Sequence, residues 1–226
     1  SLGSLHTNKE RKINKKVLMY MRKWLYNNNR FKLSSKINKY LDLNFLGSFT
    51  NIEGLKKHDC VEIAFAGASN VGKSSAINVL TNNKKMSKVS KKPGKTKYLN
   101  IFEAREGYIV DLPGYGYSSA SGNYKRSWAI ELPRYLENRN ELYYVYLFTD
   151  IRNPLKKNDI AMMRKLEHLR INYQIVLTQS DKIKDNDVKK VLKETSSKFG
   201  ECISLSTKKN DEISSLLGSI NALLSN

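Results

Sequence analysis

Gly67-Ala68-Ser69-Asn70-Val71-Gly72-Lys73-Ser74 follows the apolar run Val61 to Ala66 and opens a stretch with helical character. Gly67, Gly72, Lys73 and Ser74 occupy the fixed positions of a phosphate-cradling loop, and a strand before and a helix after are the context that this chemistry requires. The glycines let the backbone curl so that successive N–H groups and the helix N-terminus face negative charge. Lys73 is expected to reach the β and γ oxygens of a nucleotide, and Ser74 to offer its hydroxyl to Mg²⁺. A glycine turn that merely happens to precede a helix would not explain all four positions together with the flanking strand.

Outward from this loop the chain alternates extended and helical patterns. Strands are expected at Val61 to Ala66, Tyr98 to Glu103, Tyr108 to Asp111, Tyr143 to Asp150, Tyr173 to Thr178 and Cys202 to Leu205. Helices are expected from Ser74, from about Tyr124, and over Asn158 to Leu169, Asp187 to Lys198 and Glu212 to Leu224. That βα rhythm predicts an α/β fold, a mostly parallel sheet with helices on both faces. Ligands of such a sheet sit beyond the carboxyl ends of its strands.

Two further segments lie at such strand ends. Asp111-Leu112-Pro113-Gly114 would set a carboxylate near the metal and the N–H of Gly114 near a γ-phosphate. By itself a strand ending in Asp before a Pro-Gly turn is ordinary structure, and it gains meaning only behind a phosphate loop. Thr178-Gln179-Ser180-Asp181 follows the strand Tyr173 to Leu177. Asp181 there would accept from guanine N1–H and the exocyclic amine together, a donor pair that adenine lacks. The plain alternative is a helix-capping Asp in a turn.

The stretch from about Phe45 to the C-terminus resembles the EngB (YihA/YsxC) GTPases. The segments that carry the likeness are Val61 to Gly67, Ser69 to Ser75, Ser90 to Thr96, Asp111-Leu112-Pro113-Gly114-Tyr115-Gly116-Tyr117 and Asp150-Ile151-Arg152-Asn153-Pro154. The resemblance implies a Ras-like P-loop GTPase domain over 45–226, preceded by an extension over 1–44. It implies hydrolysis of GTP to GDP and phosphate, with a role in assembly of the large ribosomal subunit and with ribosomal RNA or a large-subunit precursor as partner. It further implies a cytoplasmic home in bacteria, or a mitochondrial or plastid matrix in a eukaryote.

Carried over by position, Thr96 matches the switch-one threonine that closes over Mg²⁺ and γ-phosphate, and Asp111 the residue that holds the metal through water. The metal set is then Ser74, Thr96 and Asp111, and the catalytic set is Lys73, Asn70, Thr96 and Gly114. The nucleotide set is Gly67, Ser69, Asn70, Val71, Gly72, Lys73, Ser74, Ser75, Thr178, Gln179, Asp181 and Ser206. Asn70 stands where several related GTPases use an asparagine to help bind K⁺, and the competing reading is that it only stabilises the loop backbone. Tyr115 follows Gly114 where Ras-type switches carry a water-orienting glutamine, so slow intrinsic hydrolysis is expected. Three positions depart from the family: Gln179 replaces a lysine whose stem covers the base, Leu205 stands where a serine is typical, and Ala68 where Arg is frequent. Ser206 is left as the amide expected to meet the guanine carbonyl. The competing reading is a basic RNA-binding module with a degenerate nucleotide site; a third, an ATP-using enzyme, is opposed by Asp181.

The chain carries 40 Lys and Arg against 21 Asp and Glu over 226 residues, a net charge of +19. A field of that sign attracts nucleic acid, anionic lipid or acidic protein. An AT-rich genome that inflates Lys and Asn explains the same composition, and composition alone does not choose. Before residue 45, Ile13, Val17, Tyr20, Met21, Trp24 and Leu25 recur at helical spacing, with Arg11, Lys12, Lys15, Lys16, Arg22 and Lys23 largely elsewhere on the wheel. Such a basic amphipathic helix would dock on the main domain, lie on RNA or membrane, or be the remnant of a targeting segment; docking is the reading preferred here. No apolar run approaches the roughly 20 residues of a membrane span. Cys60 and Cys202, both expected in strands, lack the spacing of a disulfide framework or zinc site. His6, His58 and His168 join no ligand cluster.

Overall fold

The computed structural model describes residues 39–89, 99–115 and 122–225. The basic helix expected near Ile13 to Leu25, Thr96 and its lysine-rich surroundings, and Gly116 and Tyr117 lie outside the described residues.

Seven strands form one sheet: β1 Leu43–Phe49, β2 Val61–Gly67, β3 Leu99–Ala104, β4 Gly107–Asp111, β5 Leu142–Asp150, β6 Asn172–Thr178 and β7 Cys202–Leu205, in the order β1-β3-β4-β2-β5-β6-β7. The pairs β2–β4, β2–β5, β5–β6 and β6–β7 are parallel, while β1–β3 and β3–β4 are antiparallel. The helices are α1 Lys73–Leu80, α2 Gly122–Asn138, α3 Lys157–His168, α4 Asp185–Phe199 and α5 Asn210–Leu224, with a single helical turn at Met86–Val89. The mostly parallel, two-sided α/β sheet is thus the one expected.

β2 sits at the centre, and from its second residue every side chain is buried. A central parallel strand covered on both faces reads as a nearly unbroken apolar run for this reason. Period-two alternation divides it: Ile63 and Phe65 enter the core beneath α1 and α5 with Ile77, Leu80, Leu216 and Ile220. Ala64 and Ala66 enter the opposite core with Tyr135, Met162, Met163, Leu166 and Val188 of α2, α3 and α4. The small side chains let the second layer come close.

Three features differ from the expectations. β1 was not among the expected strands; its register breaks between Phe45 and Gly47, and only Leu43 in it is fully buried, so its alternation is blurred. Leu41 and Leu43 belong to the packed core, and the Leu41 N–H donates to the Leu80 carbonyl at 2.7 Å. Packing therefore begins before the division drawn at residue 45. Cys60 is an exposed bend residue ahead of β2, not part of a strand.

Candidate functional site

The carboxyl ends of β2, β4 and β6 converge on one edge of the sheet. β2 runs into Gly67, whose φ of 149° and position allow no side chain: a Cβ there would stand 2.5 Å from the Phe148 carbonyl oxygen. The loop turns through Asn70, at φ 63°, and Gly72 opens α1. Lys73 is buried and folds back so that Nζ donates to the Gly67 carbonyl at 3.2 Å, across the mouth of the loop. Ser74 is half-buried in the first turn of α1, and Ser75 and Asn70 are exposed.

Asp111 ends β4 in register with Phe65 and is buried. Beyond it, Gly114 lies against the loop: a Cβ would stand 2.7 Å from Ser69 Cα and 2.8 Å from Ser69 N. Ser69 N–H donates to the Tyr115 carbonyl at 3.0 Å, and Ser69 Oγ to the Gly114 carbonyl at 3.1 Å. The Tyr115 side chain turns away toward α3, where its hydroxyl donates to Asp159 at 2.6 Å. Asp159 also accepts from Thr149 Oγ1 at 3.1 Å and from the Lys156 N–H at 3.0 Å. Burial, then the Asp159 carboxylate, push the Tyr115 phenol well above its ordinary range, so it stays a neutral donor.

Thr178 joins the two halves of the site. Its hydroxyl lies 2.6 Å from the Val71 carbonyl and 3.0 Å from the Thr149 carbonyl. Just beyond, Gln179 adopts φ 60° and starts a short turn that presents Asp181. Ser206 Oγ donates to Asp181 at 3.1 Å, and Lys208 Nζ lies 2.8 Å from its other oxygen. The hydrogen bond from Lys208, ahead of that from Ser206, holds this carboxyl below its ordinary value. Leu205 is buried in the core at the end of β7, and Ser206, the next residue, is the serine of this loop bonded to Asp181.

The expected residues other than Thr96 therefore collect along one edge: the loop Gly67 to Ser75, then Asp111 and Gly114, with Thr178 at the end of β6, Gln179 and Asp181 just beyond it and Ser206 just beyond β7. Ser74 and Asp111 offer hydroxyl and carboxylate oxygens, hard donors that suit Mg²⁺. Among the described residues no group of three or more His, Cys, Asp or Glu could hold a metal alone. An ion here would take its other ligands from phosphate and water, which is the habit of Mg²⁺. Sequence spacing did not reveal Asp150 and Arg152 around Gln179, Asp159 behind Tyr115, or Lys208 on Asp181, because each pairing spans distant segments.

A family model described as 50S ribosome-binding GTPase matches residues 62–198. A protein of Buchnera aphidicola subsp. Acyrthosiphon pisum named "Probable GTP-binding protein EngB" is 45% identical over 151 residues, covering 66% of this chain and 74% of that protein. Its namesake in Vibrio parahaemolyticus is 43% identical over 161 residues, covering 71% and 73%. A crystal structure of an EngB protein superposes with TM-score 0.61 at 26% identity, over 73% of this chain and 99% of that one. The structure of Era in complex with MgGDPNP and a segment of 16S ribosomal RNA, at 21% identity and TM-score 0.55 over 74% of this chain and 57% of that one, shares the fold.

Proposed function

We propose that this chain, which belongs to the EngB family of GTP-binding proteins and is a GTPase, acts in assembly of the large ribosomal subunit, its nucleotide state governing when it docks on preribosomal RNA. The matching family description, 50S ribosome-binding GTPase, supports that destination. The observation that carries the nucleotide reading is the bond from Thr178 to the Val71 carbonyl, which ties the phosphate loop to the loop bearing Asp181. One ligand with phosphates at one end and a guanine at the other would span both.

In this reading the loop amides from Ser69 to Ser75 and the N-terminus of α1 hold the phosphates. Lys73 leaves the Gly67 carbonyl to meet the β and γ oxygens, and the Gly114 N–H orients the γ-phosphate. Asp181 accepts from both guanine donors, and the Ser206 loop meets the carbonyl. Ser74, Thr96 and Asp111 would hold Mg²⁺, which when bound offsets the negative charge of the phosphates. Water attacks the γ-phosphate, and the chain contributes by positioning and by stabilising charge. Tyr115, engaged with Asp159, offers no side-chain amide to orient that water, which fits slow intrinsic turnover. The compartment follows the ribosome served: cytoplasm in a bacterium, mitochondrial or plastid matrix in a eukaryote. No helix among the described residues is long and apolar enough to cross a membrane.

Adenine has neither guanine's N1–H nor its exocyclic amine to give to Asp181, so base contact would cost the carboxylate solvent with no donor gained, and GTP and GDP are expected to outcompete ATP strongly. Asp181→Asn should shift preference to xanthine nucleotides, because its amide donates to the carbonyl that replaces the guanine amine. Equal competition by ATP and GTP for the wild-type chain would remove the base assignment.

A further inference from the structure

Asp150, Arg152 and Gln179 form a closed polar ring beside the loop that presents Asp181. Asp150 ends β5 in register with Thr178, the residue before Gln179. Arg152 grips Asp150 with two nitrogens, Nε to Oδ1 at 3.0 Å and a terminal nitrogen to Oδ2 at 2.6 Å. The same terminal nitrogen donates to Gln179 Oε1 at 2.9 Å, and Gln179 Nε2 donates to Asp150 Oδ2 at 2.9 Å. The Arg152 backbone N–H adds a bond to Asp150 Oδ1 at 2.9 Å. Every polar atom of the Gln179 amide head is thus engaged, and its rotamer is fixed.

We infer that Arg152, locked to Gln179 through Asp150, builds the face on which the guanine base rests, and so sets guanine-nucleotide affinity. Three properties favour this. The guanidinium is planar, permanently charged and weakly hydrated, which suits it to lie against an aromatic ring. Its side chain is 51% exposed while Asp150 is 19% exposed, so the ring is anchored from below and open above. Gln179 holds φ 60°, a left-handed geometry uncommon for a residue without glycine's freedom, and it sits two positions from Asp181 on the same turn. A glutamine alone is short and uncharged; bonded to Arg152 it becomes part of a wider, cationic surface.

This inference rests on Asp181 as the acceptor at the base edge. The test is equilibrium binding of GDP to the full chain, with melting temperature measured without nucleotide. Arg152→Ala should weaken GDP about tenfold, the scale of one desolvated cation–π contact. Arg152→Lys should remain weakened, since a point-charge ammonium cannot grip Asp150 twice and also hold Gln179. In Gln179→Lys/Arg152→Ala, a lysine stem supplies its own face and its own partner for Asp150, and affinity should return to within about threefold of wild type. Wild-type affinity in Arg152→Ala, or no recovery in the double variant, overturns the inference. So does a melting temperature that falls in step with affinity, which would assign Arg152 to support of the fold. Should Asp181→Asn keep its preference for GDP over XDP, the base site itself is misplaced and this inference falls with it. Loss of that preference alongside wild-type affinity in Arg152→Ala overturns this inference alone.

Discussion

Asn70 stands exposed in the phosphate loop at φ 63°, a conformation that asparagine tolerates better than most residues. That geometry is compatible with a purely backbone role and with a side chain free to help bind K⁺. Hydrolysis separates the two. If K⁺ supplies charge during γ-phosphate transfer, turnover in KCl should exceed that in matched NaCl severalfold, and Asn70→Ala should erase the difference. Indistinguishable rates in the two salts would leave Asn70 with the loop alone. At this scale the phosphate loop was legible because its chemistry is packed into eight consecutive positions. Lys208 on Asp181, or Tyr115 on Asp159, was not: nothing local in sequence marks which distant side chains will share a hydrogen bond. Leu205 is buried at the end of β7, and burial at a strand end is a tertiary fact that the loop sequence alone does not display.

Strand ends carry the site, and two elements make separable predictions. The segment after β4 lies so close to the loop that Gly114→Ala would drive a methyl into Ser69 backbone atoms at 2.7 and 2.8 Å. The segment must then move and take its N–H from the γ-phosphate. Hydrolysis should fall on the order of 100-fold, the usual cost of one lost donor to a developing charge, while GDP affinity changes much less. Single-turnover rates with GTP, set against GDP titrations, check this. At the opposite end of β2, buried Glu62 accepts from Tyr135 at 2.5 Å and from Arg139 Nε at 2.9 Å, with His58 Nε2 at 3.3 Å. Glu62→Ala would leave the buried Tyr135 hydroxyl without its acceptor and Arg139, 7% exposed, with Glu141 at 3.5 Å and the Lys56 carbonyl at 2.9 Å, and should destabilise the fold by about 1–3 kcal/mol in denaturant titration. The folded fraction should still bind GDP normally, because this network is remote from the loop. Interior strands were readable from unbroken apolar runs. β1 was not, because an edge strand with Gly47 at a register break shows no clean alternation.

For the whole molecule, the net charge of +19 asks whether its lysines meet a partner or only water. On the described surface Lys184, Lys189, Lys190, Lys193 and Lys198 are exposed on and beside α4. Lys88, Lys91, Lys92, Lys95 and Lys97 surround Thr96 in sequence and would be reordered if Thr96 closes on a γ-phosphate; all but Lys88 lie outside the described residues with Thr96, as do Lys15, Lys16, Arg22 and Lys23, and for Lys88 only the backbone of the turn Met86–Val89 is described. Family membership and the sheet were legible from sequence because several motifs fall at strand ends in a fixed order. The partner was not, because surface charge carries no address. The central claim, a GTP switch that governs docking on preribosomal RNA, is tested most directly by binding of large-subunit RNA or particles across a salt series, with GDP and with a non-hydrolysable GTP analogue. Affinity should fall with a log–log salt slope of several units, should be higher with the analogue, and should lose that difference when Lys91 and Lys92 are neutralised. A flat salt response, or an affinity indifferent to nucleotide and to those lysines, would contradict it.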